Sequence, residues 1–446
     1  MSVPWDLGGR QSSRRSFLKM GAGVSIAIPL ASTLAGCTGA STTGGSSFMF
    51  LSTQFTPVEE KQRFEKILAD RVTDPKVSFN SLAVGDFTTQ VQTLVGSGKA
   101  EIGLLGALHG DLAPLTDYLA DVDDLVPAAA AAGISDDMLA LGKFGGTTQK
   151  YIPWMQASYV VAVNKKALDY LPAGADVNHL TYDDYVAWAE AGKKATGSAI
   201  FGFPAGPKGL YHRWVQGYLL PSFTGAQVTR FTSDDAIAAW EYMQRLWKAM
   251  NPASTNYDNM QEPLARGEVL VAWDHVARLV DAPKEKPDDW LMVPSPTGPK
   301  GLGYMLIIAG FAVPKDADKA QATTVINALS TPQAQLDVLW QNAFFPVVKA
   351  DLPSDLPAPI SLEAAAVAAQ ASSPDALLAL PPIGLGAKDG EMSQVFKDCF
   401  TAICLQGQSP KSVVTAQAEI MQKILDEAKV PCWAPDPIGA GVCAVG

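Results

Sequence analysis

Short apolar runs alternating with amphipathic stretches open the ordered part of the chain. Residues 48–51 are an uninterrupted apolar run of strand length, Phe-Met-Phe-Leu, the pattern of a strand buried on both faces. Thr56, Pro57 and Glu59 then supply an N-cap, a proline for the first helical position and a capping-box acid. Phe64, Ile67 and Leu68 fall on one face of the helix they start. Residues 77–83 predict a second strand. Asp86 stands where it can cap the next helix, whose Phe87, Val91, Leu94 and Val95 share a face, and residues 101–106 predict a third strand. This β-α-β-α-β order predicts a parallel sheet that binds ligands at its carboxyl edge, where loops and helix N-termini converge.

A second block begins with the strand at 159–163. It continues through a capped helix from Thr181, a Gly/Pro-rich segment at 202–209 and a long helix from Ser233. In that helix Asp234 and Asp235 favour the first turn, and Ile237, Trp240, Met243 and Trp247 form one stripe, which makes Trp240 and Trp247 packing residues. Arg266-Gly267 ends a short helix before a strand at 269–273, and strands recur at 290–293 and 304–313. Mostly helical sequence follows, broken by prolines at 352–359 and 381–382. No internal repeat is present. A chain of 446 residues exceeds one ordinary core and implies two domains.

A net charge of −11 argues against nucleic acid or an anionic membrane surface as direct partners. At the N-terminus, Ser13-Arg14-Arg15-Ser16-Phe17-Leu18-Lys19 resembles a twin-arginine export signal. The apolar run at 20–35 is too short, and too interrupted by Gly21, Gly23 and Pro29, for a membrane span, and it leads into Leu34-Ala35-Gly36-Cys37, which resembles a lipobox. These signals predict a signal peptide over 1–36, lipidation of Cys37 and a flexible linker over 37–47. They predict a protein held by lipid alone on the outer face of a bacterial cytoplasmic membrane. The remaining cysteines, Cys399, Cys404, Cys432 and Cys443, are even in number in an exported chain and predict disulfides. Three connectivities are open, and local pairing of Cys399 with Cys404 and of Cys432 with Cys443 is expected. No C-x-x-C occurs and no histidine stands near them, so neither a metal nor another cofactor is expected.

The segment from Leu264 to Trp273 (LARGEVLVAW) resembles a stretch of the extracellular solute-binding proteins of ABC sugar importers, the maltose-binding-protein-like group. Four further pieces agree in order: Ile152-Pro153-Trp154 with Val161 to Lys165, Met292 to Pro296 with Gly298, Gly310 to Lys315, and Ser330 to Gln335 with Asn342 to Val347. Ala343 stands where the family commonly has glycine, and residues 106–109 lack its frequent aspartate. The resemblance implies an α/β, two-lobed periplasmic-binding-protein fold of type II, each lobe a mainly parallel sheet flanked by helices, with a three-stranded hinge. It places lobe 1 in residues 48–155 plus 306–345, and lobe 2 in 156–305 plus 346–446 with the cysteine-bearing tail. It implies a monomer that captures a carbohydrate between the lobes and delivers it to a membrane permease served by a cytoplasmic ATPase.

A pyranose presents hydroxyls suited to amides, carboxylates and arginine, and apolar faces that stack on Trp or Tyr. Candidates are therefore sought at strand ends and loops rather than on helix stripes. They are Gln54, Asp86 and His109 after the first three strands, Trp154 at the inferred crossover, and Tyr211, Arg213 and Trp214 after the Gly/Pro-rich loop. Trp273, Asp274 and Tyr304 complete the set. Asp86 also reads as a plain helix cap, His109 as a surface-loop histidine and Trp154 as a buried hinge residue. Arg213 is the one clear cation among them, which favours a neutral sugar over a glycerol-phosphate-type or polyol ligand. No G-x-S-x-G or H-E-x-x-H occurs, and Gly96-Ser97-Gly98-Lys99 fails the P-loop pattern at Thr93 and Ala100. The paired carboxylates Asp183-Asp184 and Asp288-Asp289 read as helix starts or turns. The chain is thus expected not to be an enzyme, an exported glycoside hydrolase being the rival reading.

Overall fold

The computed structural model describes residues 48–446 except 56, 57, 99, 100 and 440. The predicted signal peptide, linker and lipidation site Cys37 lie outside the described residues. Two sheets organise the rest. The first has the order β2-β1-β3-β10-β4, built from β1 (Phe48–Ser52), β2 (Val77–Ser81), β3 (Leu104–Leu108), β4 (Tyr151–Ala157) and β10 (Ile307–Ala312). The second has the order β6-β7-β5-β8, from β5 (Tyr159–Asn164), β6 (Phe201–Gly202), β7 (Val271–His275) and β8 (Trp290–Val293). A small parallel pair joins β9 (Leu302–Met305) to β11 (Ala376–Ala379).

The α/β two-lobed class holds, but the sheets are mixed rather than mainly parallel. β1 pairs in parallel with β2 and β3, and β6 with β7. β10 runs antiparallel to β3 and β4, and β5 antiparallel to β7 and β8. The cause is the chain's route. β10 enters the first sheet from the other half, so it starts where β3 ends, and β5 enters the second sheet in the same way.

Only Ser158 separates β4 from β5, and only Leu306 separates β9 from β10, which splits the single strand expected over 304–313. A third passage follows Ala343, where Phe345 exchanges backbone hydrogen bonds of 2.9 and 2.7 Å with Gln156. The first two passages are tied together. Ser158 Oγ donates to the Met305 carbonyl at 2.9 Å and lies 3.2 Å from the Tyr218 hydroxyl, and Gln370 Nε2 donates to the Tyr159 carbonyl at 3.0 Å.

β4 was not foreseen as a strand. Pro153 has no N–H for a ladder, a defect tolerated because β4 is the last strand of its sheet and shifts register against Ala309 and Gly310, leaving Trp154 unpaired. The capping expected at Thr56, Pro57 and Glu59 falls on residues or side chains that are not described, while two later signals act as read. Thr181 and Asp184 form a reciprocal capping box, and the Ser233 hydroxyl accepts from the Ala236 N–H. Asp86 does not cap: the helix Val84–Gly96 starts two residues earlier, with Ala83 as N-cap, and Asp86 lies exposed in its first turn.

Cys432 and Cys443 form a disulfide. Cys399 and Cys404 do not, contrary to expectation: both are free, Cys399 fully buried. Cys399 lies in the helix Asp389–Phe400 and Cys404 in the π-helical turn Thr401–Leu405 that continues it, so unbroken helical backbone spaces the two thiols.

Candidate functional site

The loops after β1 and β3 place one polar group on the first half. Thr53 Oγ1 donates to Asp111 Oδ2 at 3.1 Å, and Gln54 Nε2 reaches Thr53 Oγ1 at 3.1 Å. Burial raises the Asp111 carboxyl to about 7, reinforced by Asp389 and opposed by Thr53 and Arg213, both of which favour its charged form. Arg213 and Asp389 belong to the other half. Arg213 donates to Gln216 Oε1 at 2.9 Å and stands 3.8 Å from Asp389. Gln216 is buried, and its Nε2 has no partner among the described residues. Of the predicted residues, Gln54 and Arg213 therefore reach a polar junction between the halves. Asp111, Gln216 and Asp389, which join them there, were missed. Asp111 stands two residues past the stretch 106–109, where an aspartate was sought and not found.

Four of the five predicted aromatic residues are buried in this conformation. Trp154 stacks on Phe311 at 4.5 Å and lies among Phe55 and Phe64 in the first core. Trp273 stacks on Tyr159 at 4.7 Å, and Trp214 lies 5.2 Å from Trp273, edge to face, and parallel to Tyr218 at 6.1 Å. All three tryptophans are at most 1% exposed, so none offers a face to a ligand in this conformation. Tyr211 is buried against Phe400, with the Lys397 ammonium 5.7 Å from its ring centre. Tyr304 is half-buried beside Leu378.

His109 turns inward rather than lying in a surface loop. Its Nδ1 meets the Tyr151 hydroxyl at 2.8 Å and its ring stacks on Phe144, and burial lowers its pKa to about 4. Asp274 is also buried. It accepts from the Met260 and His275 amides at 2.9 and 2.8 Å, so it organises backbone. Burial still raises it to about 7 against the pull of Arg278 and those amides.

A cleft of about 820 Å³ opens between the halves. The first two turns of the helix Val58–Arg71 bring Glu60 and Arg63 to it, and the end of the helix Pro332–Asn342 brings Trp340, Gln341 and Asn342. The other half contributes Gln261, Asp281 and Lys284, with the start of the helix Ala358–Ala371 as a floor. None of the ten predicted ligand residues lines it. Trp340, with 40% of its surface exposed, is the large aromatic side chain that this cleft presents to solvent. Asn342 is 3% exposed; its Nδ2 donates to the Glu60 carbonyl at 3.1 Å, while its Oδ1 has no partner among the described residues. The charged lining residues are two cations, Arg63 and Lys284, and two anions, Glu60 and Asp281, so the wall is formally neutral.

Among the described residues no group of three or more His, Cys, Asp or Glu side chains could hold a metal ion, and no helix is long and apolar enough to cross a membrane.

The family model of the bacterial extracellular solute-binding proteins matches residues 56–336. No curated protein matches in sequence. Among solved structures, a maltose-bound MalE protein of T. maritima superposes with a TM-score of 0.66 at 17% identity, covering 85% of this chain and all of the other. UgpB from Mycobacterium tuberculosis, in complex with glycerophosphocholine, gives 0.67 at 17% identity over 86% of this chain and 99% of its own. An ABC substrate-binding protein from Listeria monocytogenes, in complex with cycloalternan, gives 0.65 at 14% identity over 85% and 98%. At these identities the likeness shows the shared fold.

Proposed function

This chain belongs to the bacterial extracellular solute-binding proteins, the capturing components of ABC importers, and from that premise we propose that its interlobe cleft takes a neutral carbohydrate. The observation that carries the reading is the exposed face of Trp340 in a cleft lined from both halves. A volume of 820 Å³ suits a short oligosaccharide, since ligand pockets run from roughly 300 to 1,000 Å³. The indole offers the apolar surface that pyranose C–H faces need. Asn342, whose buried Oδ1 has no partner among the described residues, adds an amide to the lining, and the balanced wall charge favours a ligand without net charge.

Capture involves no chemistry. Lobe closure dries the contacts, and the closed form is handed to the membrane permease. Tethering through lipidated Cys37 after twin-arginine export is the part of this reading that rests on the N-terminal motifs.

A second reading, a glycerophosphodiester ligand, draws on Arg63 and Lys284 facing the same cleft and on the glycerophosphocholine bound by the M. tuberculosis relative. A thermal-shift screen over neutral oligosaccharides, polyols and glycerophosphodiesters separates the two. A ligand at a hundredfold excess over Kd adds about 2.7 kcal/mol of stability. A response to sugars supports the proposal, a response to phosphodiesters alone transfers it to the second reading, and no response overturns both.

A further inference from the structure

The family match ends at residue 336, and the chain beyond it includes a strap that touches both halves. Residues 380–389 leave β11, whose partner β9 adjoins the second half. They end at the helix Asp389–Phe400, which packs on the helix Tyr211–Trp214 of that half. In between, this strap lies against the first half. A methyl group at Gly110, just after β3, would run into the Pro382 carbonyl oxygen, and one at Gly386 would press on Pro114. The strap's last residue, Asp389, faces Arg213.

The disulfide-closed tail holds the strap from behind. Leu380 donates its N–H to the Ala434 carbonyl at 3.0 Å, and Gln227 Nε2 donates to both the Leu380 and the Ala434 carbonyl oxygens at 2.9 Å. Trp433 Nε1 donates to Gln227 Oε1 at 3.0 Å. The buried Asp436 carboxylate accepts from the amides of Gln227, Val228 and Thr229, and from the Thr229 hydroxyl at 2.6 Å. Gly384 rests on Val430, immediately before the disulfide loop.

We infer that residues 380–389 form a clasp that begins and ends in lobe 2, seats on lobe 1 at Gly110 and Pro114, and is held in its seating pose by the Cys432–Cys443 tail. The clasp rests on the two-lobed fold and not on the identity of the ligand. Because it must lift when the lobes part, it opposes opening at the cleft end marked by Asp111, Arg213 and Asp389, away from Trp340.

Amide hydrogen exchange on the full chain without ligand tests it. Gly110→Ala is a wedge that spares the second half, and Cys432→Ser/Cys443→Ser removes the brace. Both variants should raise exchange at residues 383–388 at least tenfold while leaving β5 and β7 protected as in the parent. Unchanged exchange at 383–388 in the wedge variant overturns the clasp. Unchanged exchange there in the tail variant overturns the brace. Should the cysteine variant fail to fold, Asp436→Asn, which weakens the same attachment, replaces it under the same criterion.

Discussion

Trp273 lies flat on Tyr159, the rings 8° from parallel with centres 4.7 Å apart, and this contact occupies the face that a sugar would need. The pair sits where β5 and β7 are hydrogen-bonded, so it belongs to the core of the second half. Trp340 shows the opposite arrangement, with an open face at the edge of the cleft. The two residues should therefore separate stability from binding. Trp273→Ala is expected to cost about 3–5 kcal/mol of folding stability, the usual range for emptying a buried aromatic site. Trp340→Ala should leave the unliganded melting temperature within a few degrees and abolish the sugar-induced shift. Calorimetric melting of both variants, with and without the responding sugar, reads both effects at once.

The misplaced tryptophans show where sequence reading stops. Helix caps such as Thr181 with Asp184 and Ser233 were legible because the groups that satisfy each other lie within three residues. The second block's core stripe at Trp240 and Met243 was legible for the same local reason. Strand β4 was not, because Pro153 breaks the pattern and only its position at the sheet's end makes that harmless. Burial of Trp154, Trp214 and Trp273 depends on partners up to some 160 residues away, such as Phe311 for Trp154. Trp340 was passed over because it rides on an amphipathic helix, and nothing in a helical period says that the last turn opens onto a cleft.

Asp111 should make stability fall with rising pH. Its carboxyl titrates at about 7 in the folded chain, against about 4 for an ordinary aspartate, so the folded state holds its proton longer than the unfolded one. The stabilising contribution is complete below pH ~4, shrinks as pH rises toward 7 and is flat above. Asp111→Asn keeps an acceptor for Thr53 and cannot ionise. Its stability relative to the parent should climb between pH 4 and 7 and then level off. His109, whose pKa moves the opposite way, is present in both proteins and cancels in the difference. Urea titrations at closely spaced pH values check this, and a difference that is flat across the window refutes it.

Thiol counting tests the cysteine assignment. In denaturant without reductant, Cys399 and Cys404 should alkylate and Cys432 and Cys443 should not, as peptide mass mapping can show. Opening the Cys432–Cys443 loop should lower stability by about 3 kcal/mol, the loop-entropy expectation for a short closed loop.

Gly310 marks a close approach within the first sheet. A methyl group there would strike the Tyr151 ring, which is itself fully buried and linked to His109. Gly310→Ala should lower the melting temperature by several degrees, as overpacking typically costs about 1–3 kcal/mol. The same change at Gly174, where a methyl group meets open space but the backbone has a positive φ of 85°, should act only through local strain. Differential scanning calorimetry of the two variants distinguishes steric from conformational cost.

Strand β4 bears on how this protein behaves in a crowd. A sheet rim with free donors invites a strand from another molecule. Here Pro153 has no N–H to offer, the register slips at Trp154, and Gln156 has both backbone groups engaged by Phe345. An incoming strand meets a gap, a bend and an occupied slot in succession, so this rim is a poor seed for intermolecular cross-β growth. Concentrated solutions of the folded chain should accordingly stay free of thioflavin-positive fibrils.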